Sequence, residues 1–160
     1  MLAIEPSPTM RAIALARITQ HPHWYPRITI RPEDFYSASL PHQVGGVILM
    51  GVLGYFDEQD RKALFAELAA RLPEGGATLF DLQQPEAPAK VDGYEFVSVQ
   101  VGDLTYTGIA EGWPIDEQSM RWRMTYRISD EQRILSEESV EHVYYHPSKA
   151  LWSRKPRQRA

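Results

Sequence analysis

The stretch VILMGVLGYFDEQDRKALFAELAARLPEGGATLFDL, residues Val47–Leu82, decides how this chain is read. Val47–Met50 is short and continuously apolar, the habit of a strand buried on both faces of a parallel sheet. Asp57 can cap a helix that runs to about Leu72. Leu64, Leu68 and Leu72 recur every four residues, and Ala63 and Phe65 widen the stripe, so one helix face should be buried. Pro73 ends the helix, Glu74-Gly75-Gly76 makes the turn, and Ala77–Gln83 reads as another strand. Strand, helix and strand in this succession predict an α/β layer with a mainly parallel sheet.

The residues before Val47 extend that pattern. Leu2–Glu5 reads as a short buried strand, and Ser7 can cap a helix with Pro8 at its first position. Met10, Ile13, Ala14 and Ile18 fall near helical spacing and predict its buried face. The segment QHPHWYP, with its two prolines, reads as a loop. Arg27–Ile30 is a second β-branched strand, leading into Pro32-Glu33-Asp34-Phe35.

After the polar connector QQPEAPAK the period changes to two. Met120, Trp122, Met124, Tyr126 and Ile128 alternate with Arg121, Arg123, Thr125 and Arg127, a half-buried strand. YEFVSVQV, LTYTGIAEGW and RILSEESVEHVYY supply three more strands. Gly102-Asp103 suits a two-residue hairpin turn, and Ser129-Asp130-Glu131 suits a second. A four-stranded antiparallel meander follows, in which Glu137 and Glu141 can oppose the arginines of the neighbouring strand. The expected organisation is an α/β core over 1–83, the meander over 84–146, and a basic, solvated and flexible tail over 147–160.

The bulk numbers narrow the function classes. With 160 residues the chain can bury a real core. A net charge of −4 gives no global case for nucleic acid or membrane binding. There is no cysteine, which removes disulfides, thiolate metal sites and cysteine nucleophiles, and fits a cytoplasmic protein. No apolar run reaches the roughly 20 residues of a membrane span. His21 and His23 lack further ligands at metal spacing, so no metal site is expected. His142 and His146, on or just after the last strand, are expected at the surface or hydrogen-bonded. No serine lies in a G-x-S-x-G elbow.

Neither G-x-G-x-x-G nor G-x-x-x-x-G-K-[ST] occurs. Yet open parallel sheets bind ligands beyond the carboxyl ends of their strands. Glu5, Asp34 and Met50-Gly51 all hold that position. A carboxylate such as Glu5 can accept hydrogen bonds from the vicinal hydroxyls of a ribose. Asp34 can accept one from an exocyclic amine, and Phe35 can offer an apolar wall. The plainer reading of both acids is a solvated loop position at a strand end.

These pieces, AIEPSPTMRA, ITIRPEDFYSASLP and Val47–Leu82 in that order, resemble a class I S-adenosylmethionine-dependent methyltransferase over roughly residues 2–82. The LPEGG turn is similar to the family's L-x-P-G-G element, with Glu74 ahead of the glycine pair. The later strands resemble an antiparallel insertion or lid found in some small-molecule members. The resemblance implies a partial Rossmann-like sheet, S-adenosylmethionine as cofactor and a small-molecule methyl acceptor. It implies that Glu5 binds the donor's ribose hydroxyls, that Pro6 and Ser7 border the adenine, and that Asp34 faces the adenine amine beside Phe35. Met50 and Gly51 would lie near the methyl group. Tyr55 is a candidate acceptor-side residue, its plainer reading being a packed aromatic at a strand end.

The family's first strand and glycine loop would precede Met1, and its closing strands would follow His146. The resemblance thus implies a partial domain. A central strand of four or five buried apolar residues, at roughly 1.5–3 kcal/mol each, rivals a domain's whole net stability of about 5–15 kcal/mol. Leu2–Ile4 would have to pair with Val47–Met50, or a second chain or copy would have to complete the sheet, or the fragment would fold poorly. Beside the methyltransferase reading stand two others. One is a non-enzymatic remnant that dimerises or binds a partner. The other is a different nucleotide-type enzyme such as a nicotinamide dehydrogenase.

Overall fold

The structure, a computed structural model, describes residues 1–82 and 85–146. The basic tail expected over 147–160 lies outside the described residues. The chain divides into two compact units, Met1–His42 and Gln43–Ala160. The division falls earlier than the sequence boundary near 83, which separates the parallel from the antiparallel strands.

In Met1–His42, β1 (Leu2–Ile4) pairs in parallel with β2 (Thr29–Arg31), with Ile4 opposite Arg31. Helix α1 (Pro8–Ile18) starts where Ser7, in an extended conformation, accepts a hydrogen bond from the Met10 amide at 3.3 Å. Pro8 at the first helical position forfeits no bond, because that N–H has no partner within the helix. The expected apolar face is corrected. No residue of α1 is fully buried, and Met10 and Ile13 are exposed. The half-buried line runs instead through Arg11, Ala14 and Ile18. The expected loop around the two prolines is a 3-10 helix, Pro22–Arg27. Pro22 sets the φ that a tight turn needs, and the short, i-to-i+3 form suits such a connector.

In Gln43–Ala160, β3 (Gly46–Leu49) pairs in parallel with β4 (Ala77–Phe80), joined through α2 (Glu58–Arg71). Asp57 is the helix cap, accepting from the Asp60 amide at 2.8 Å. Glu58 and Asp60 in the first turn and Arg71 in the last complement the helix dipole. Leu64 and Leu68 are buried, each contributing about 2 kcal/mol. Ala63 is exposed, and the third fully buried residue of the stripe is Arg61. The expectation that β3 is covered on both faces also needs correction. Burial alternates along it, and Ile48 is 67% exposed. Among the described residues the ladder of β3 holds β3 and β4, and that of β1 holds β1 and β2.

The meander forms as expected: β5 (Val91–Val101), β6 (Leu104–Pro114), β7 (Ser119–Ser129) and β8 (Ile134–Tyr145) in sequential antiparallel order. Gly102, at φ +60°, makes the first hairpin turn between Val101 and Leu104, a conformation glycine adopts without strain. Asp130 accepts from the Gln132 and Arg133 amides in the third connection. On one face Arg123 meets Glu141 at 2.8 Å and Arg127 meets Glu137 at 2.8 Å. On the other, Ala110, Met120, Trp122 and Tyr144 form the core. That core occupies one end of the sheet, where the 3-10 helix Leu53–Tyr55 packs on β8.

Candidate functional site

In Met1–His42 the parallel pairing puts the ends of β1 and β2 on one edge. The Glu5 amide donates to the Arg31 carbonyl at 3.1 Å, so Glu5 begins just where the ladder stops. Glu5 is half-buried. Its Oε1 accepts from the Ser7 amide at 2.8 Å, closing a turn through Pro6, while Oε2 has no hydrogen bond among the described residues. Arg11 donates to the Glu5 and Pro6 carbonyls at 2.9 and 2.8 Å. One carboxylate oxygen is therefore held by the main chain.

Asp34 lies three residues past β2. Its Oδ1 accepts from the Tyr36 and Ser37 amides at 2.8 and 2.9 Å. The Ser37 amide first, then the Ser37 hydroxyl and the Tyr36 amide, hold its carboxyl below the usual aspartate range. Asp34 is thus first of all the acceptor that shapes its own turn. Phe35 stacks edge-on against Tyr36, centroids 5.3 Å apart. A groove of about 440 Å³ in this unit is lined by Leu15, Ile18, Tyr25, Ile28 and Ile30 among others; neither Glu5 nor Asp34 lines it.

In Gln43–Ala160 the ends of β3 and β4 are tied together. Gly51, at φ +65°, donates its amide to Asp81 Oδ1 at 2.6 Å. The positive φ turns the chain sharply out of β3 and leaves Met50 58% exposed. Asp81 has no part in the sequence reading. Its signal there is the first polar residue after an apolar strand, the same signal that singles out Glu5.

Four residues beyond Gly51, Tyr55 is 59% exposed, so it is not simply a packed aromatic. Its ring lies 5.7 Å from that of His142 on β8. The approach depends on Gly54, where a Cβ would fall 1.7 Å from Cε2 of Tyr144. Arg61 fastens the assembly. It donates to the carbonyls of Phe56, Tyr145 (3.1 Å), His146 (3.4 Å) and, at 3.5 Å, Leu53. Four main-chain oxygens thus surround a guanidinium that is 2% exposed. Burial lowers its proton affinity, opposed by the charges of Asp57 and Glu58.

His142 is half-buried, and burial lowers its pKa. Of the two positions expected for His146, surface or hydrogen-bonded, the surface one is corrected: it is buried, and its ring packs edge-on against Tyr144. Its pKa is also lowered, by burial and then by the charge of Arg61. Among the described residues, Arg61 Nε, Trp122 Nε1 and His146 Nε2 are buried without a hydrogen-bond partner. No three His, Cys, Asp or Glu side chains among them are grouped to hold a metal. No helix among them is long and apolar enough to cross a membrane.

Parallel strand pairs with flanking helices, followed by a four-stranded antiparallel sheet, make a mixed α/β fold. Among solved structures the chain is similar to the methyltransferase DesVI of Streptomyces venezuelae, with a TM-score of 0.70 and 18% sequence identity. The match covers 93% of this chain and 61% of the DesVI chain, so this chain spans under two thirds of that protein's length. No family model matches the sequence, and no curated protein matches it.

Proposed function

We propose that the chain is an S-adenosylmethionine-dependent methyltransferase-type domain acting on a small molecule. The observation that carries this reading is the fold likeness to DesVI over 93% of the chain. Glu5 supports it, because a half-buried carboxylate with one oxygen held by the Ser7 amide suits a pair of ribose hydroxyls. In Met1–His42 the proposed donor contacts are Glu5, Pro6 and Ser7, with Asp34 and Phe35 on the adenine side. The donor brings the activated methyl; the chain's residues bind and orient, and much of such catalysis is positioning.

Titration calorimetry with S-adenosylmethionine tests the reading. Binding is expected, weakened at least about tenfold in Glu5→Ala, the loss of roughly one charged hydrogen-bonding group. No heat and no thermal shift at millimolar donor would end it for this chain.

One observation favours a second reading, a non-enzymatic module that dimerises or binds a partner. On the core face of the meander, beyond the end that the 3-10 helix covers, Val99, Val101, Tyr126 and Val140 remain exposed. Contiguous apolar surface of this kind marks interaction sites. The same second copy, or another chain, could also add strands to the two-stranded ladders. Light scattering on the wild type and on Val99→Lys/Val101→Lys separates the readings: a dimer lost in the variant favours the module, and a monomer in both counts against it.

A further inference from the structure

We infer that the acidic groove between the start of α2 and the β6–β7 connection is the docking site of this chain's own basic segment, residues 147–160. Groove and segment both belong to Gln43–Ala160, and the contact does not depend on the methyl-transfer reading.

The groove, of about 400 Å³, is lined by Asp57 and Glu58 at the start of α2, by Asp116 and Glu117 in the β6–β7 connection, and by Arg61 and Tyr145. Glu58 pairs with Lys62 at 2.6 Å. Asp57, Asp116 and Glu117 are in no salt bridge among the described residues. Carboxylates alone would make only a solvated acidic surface. Arg61 adds a second demand. It is 2% exposed yet lines this groove, and its Nε–H is buried with no acceptor among the described residues. Buried donors are ordinarily paired. The groove therefore calls for a cation and a hydrogen-bond acceptor together.

That pair of demands selects the occupant. A bare metal cation brings no acceptor and meets the positive end of α2. It also finds no three ligating side chains grouped for it among the described residues. A protonated polyamine brings charge and no acceptor. A basic peptide brings both: cationic side chains for the carboxylates and main-chain carbonyls for the Arg61 Nε–H. The chain supplies such a peptide at the groove's own edge. Tyr145 lines the groove, and the His146 amide donates to the Gln118 carbonyl at 2.7 Å, beside Asp116 and Glu117. Beyond His146 come Lys149, Arg154, Lys155, Arg157 and Arg159, with no acidic residue through position 160. Lys149 is three residues past His146, so even a fully extended chain keeps their Cα atoms within about 11 Å. So short a tether gives a high effective concentration. That compensates for the small strength of each exposed ion pair. The contact should weaken as salt rises.

The test uses the full chain, which has no cysteine of its own. Ser153→Cys therefore takes a single nitroxide label, and amide NMR reads which residues the label approaches. At low salt the Asp57 and Gln118 amide signals are expected to lose most of their intensity, and to recover at high salt. Lys149→Glu/Arg154→Glu, which leaves the groove untouched, should abolish the loss. Glu58→Lys/Glu117→Lys, which spares the turn-forming Asp57 and Asp116, should abolish it too. Combining the two pairs of substitutions should bring it back. Full-intensity signals at low salt, or a loss indifferent to salt and to both charge reversals, would overturn the inference. A mixture of isotope-labelled chain without nitroxide and nitroxide-bearing chain without isotope label tests the connectivity. Intact signals in the mixture are expected; a loss there would assign the groove to a second copy's segment and refute docking within one chain.

Discussion

The guanidinium of Arg61 and the main-chain carbonyl of Tyr145 are 84 positions apart in sequence and 3.1 Å apart in space. Through this bond and its companions to Phe56 and His146, one side chain of α2 joins the segment after β3 to the end of β8. Arg61→Met keeps the volume and removes every donor, leaving carbonyls unpaired. A loss of about 3 kcal/mol is expected, read by urea unfolding. Arg61→Lys, with one cationic centre instead of a fork, should lie between. A loss below about 1 kcal/mol would show that water replaces the guanidinium at these carbonyls.

Gly54 and Gly108 give a paired test of how rigid their neighbours are. A Cβ at Gly54 would meet the Tyr144 ring at 1.7 Å, and Tyr144 is buried in the core. A Cβ at Gly108 would meet the tip of the Phe96 ring at 2.4 Å, but Phe96 is exposed and can swing outward. Gly54→Ala should cost about 3 kcal/mol, at the upper end of overpacking, and should shift the His142 imidazole resonance. Gly108→Ala should cost less than about 1 kcal/mol. Equal costs on thermal unfolding would mean that Tyr144 moves as freely as Phe96.

Asp34 makes a pH-dependent contribution with a definite sign. Its carboxyl titrates below the usual aspartate range because the charged form accepts the Ser37 and Tyr36 amides. A lowered folded pKa adds stability above the unfolded value, and that stability is lost as pH falls through the folded one. Wild type should therefore exceed Asp34→Ala in stability at neutral pH, with the margin closing under acid. Asp34→Asn, which keeps an oxygen acceptor, should lose little at neutral pH. Carboxyl-carbon NMR titration of Asp34 checks the direction; a midpoint above the ordinary aspartate value would refute it.

The Arg123–Glu141 pair looks strong at 2.8 Å, but both side chains are exposed. Glu141→Gln should change stability only slightly, with a smaller effect at high salt. A salt-insensitive loss several times larger would assign the pair to the structural core instead.

Local signals were legible where a residue's role depends on its immediate neighbours. Ser7 and Asp57 announce their helices because a capping side chain needs only amides two or three positions on. The alternation in β7 shows which face is apolar, and Glu137 and Glu141 find their arginines because sheet register is a period-two matter. Arg61 was missed although it falls three residues before Leu64 on the same helix stripe. A cation there looks like an edge of the polar face until the carbonyls of Tyr145 and His146 are in place. The exposure of Ile48 was equally invisible, since apolarity reports what a strand can tolerate and not what covers it.

The sequence by itself determined the order of strands and α-helices, the helix caps, the hairpin at Gly102 and the carboxylates beyond the strand ends, because each follows from backbone sterics, hydrogen bonding or side-chain period over a few residues. Tertiary structure decided that Gly54 admits the Tyr144 ring, that Arg61 is caged by carbonyls, and that Tyr55 stands against His142. Those relations join residues up to 90 positions apart. They arise from close packing of surfaces, which no local period encodes.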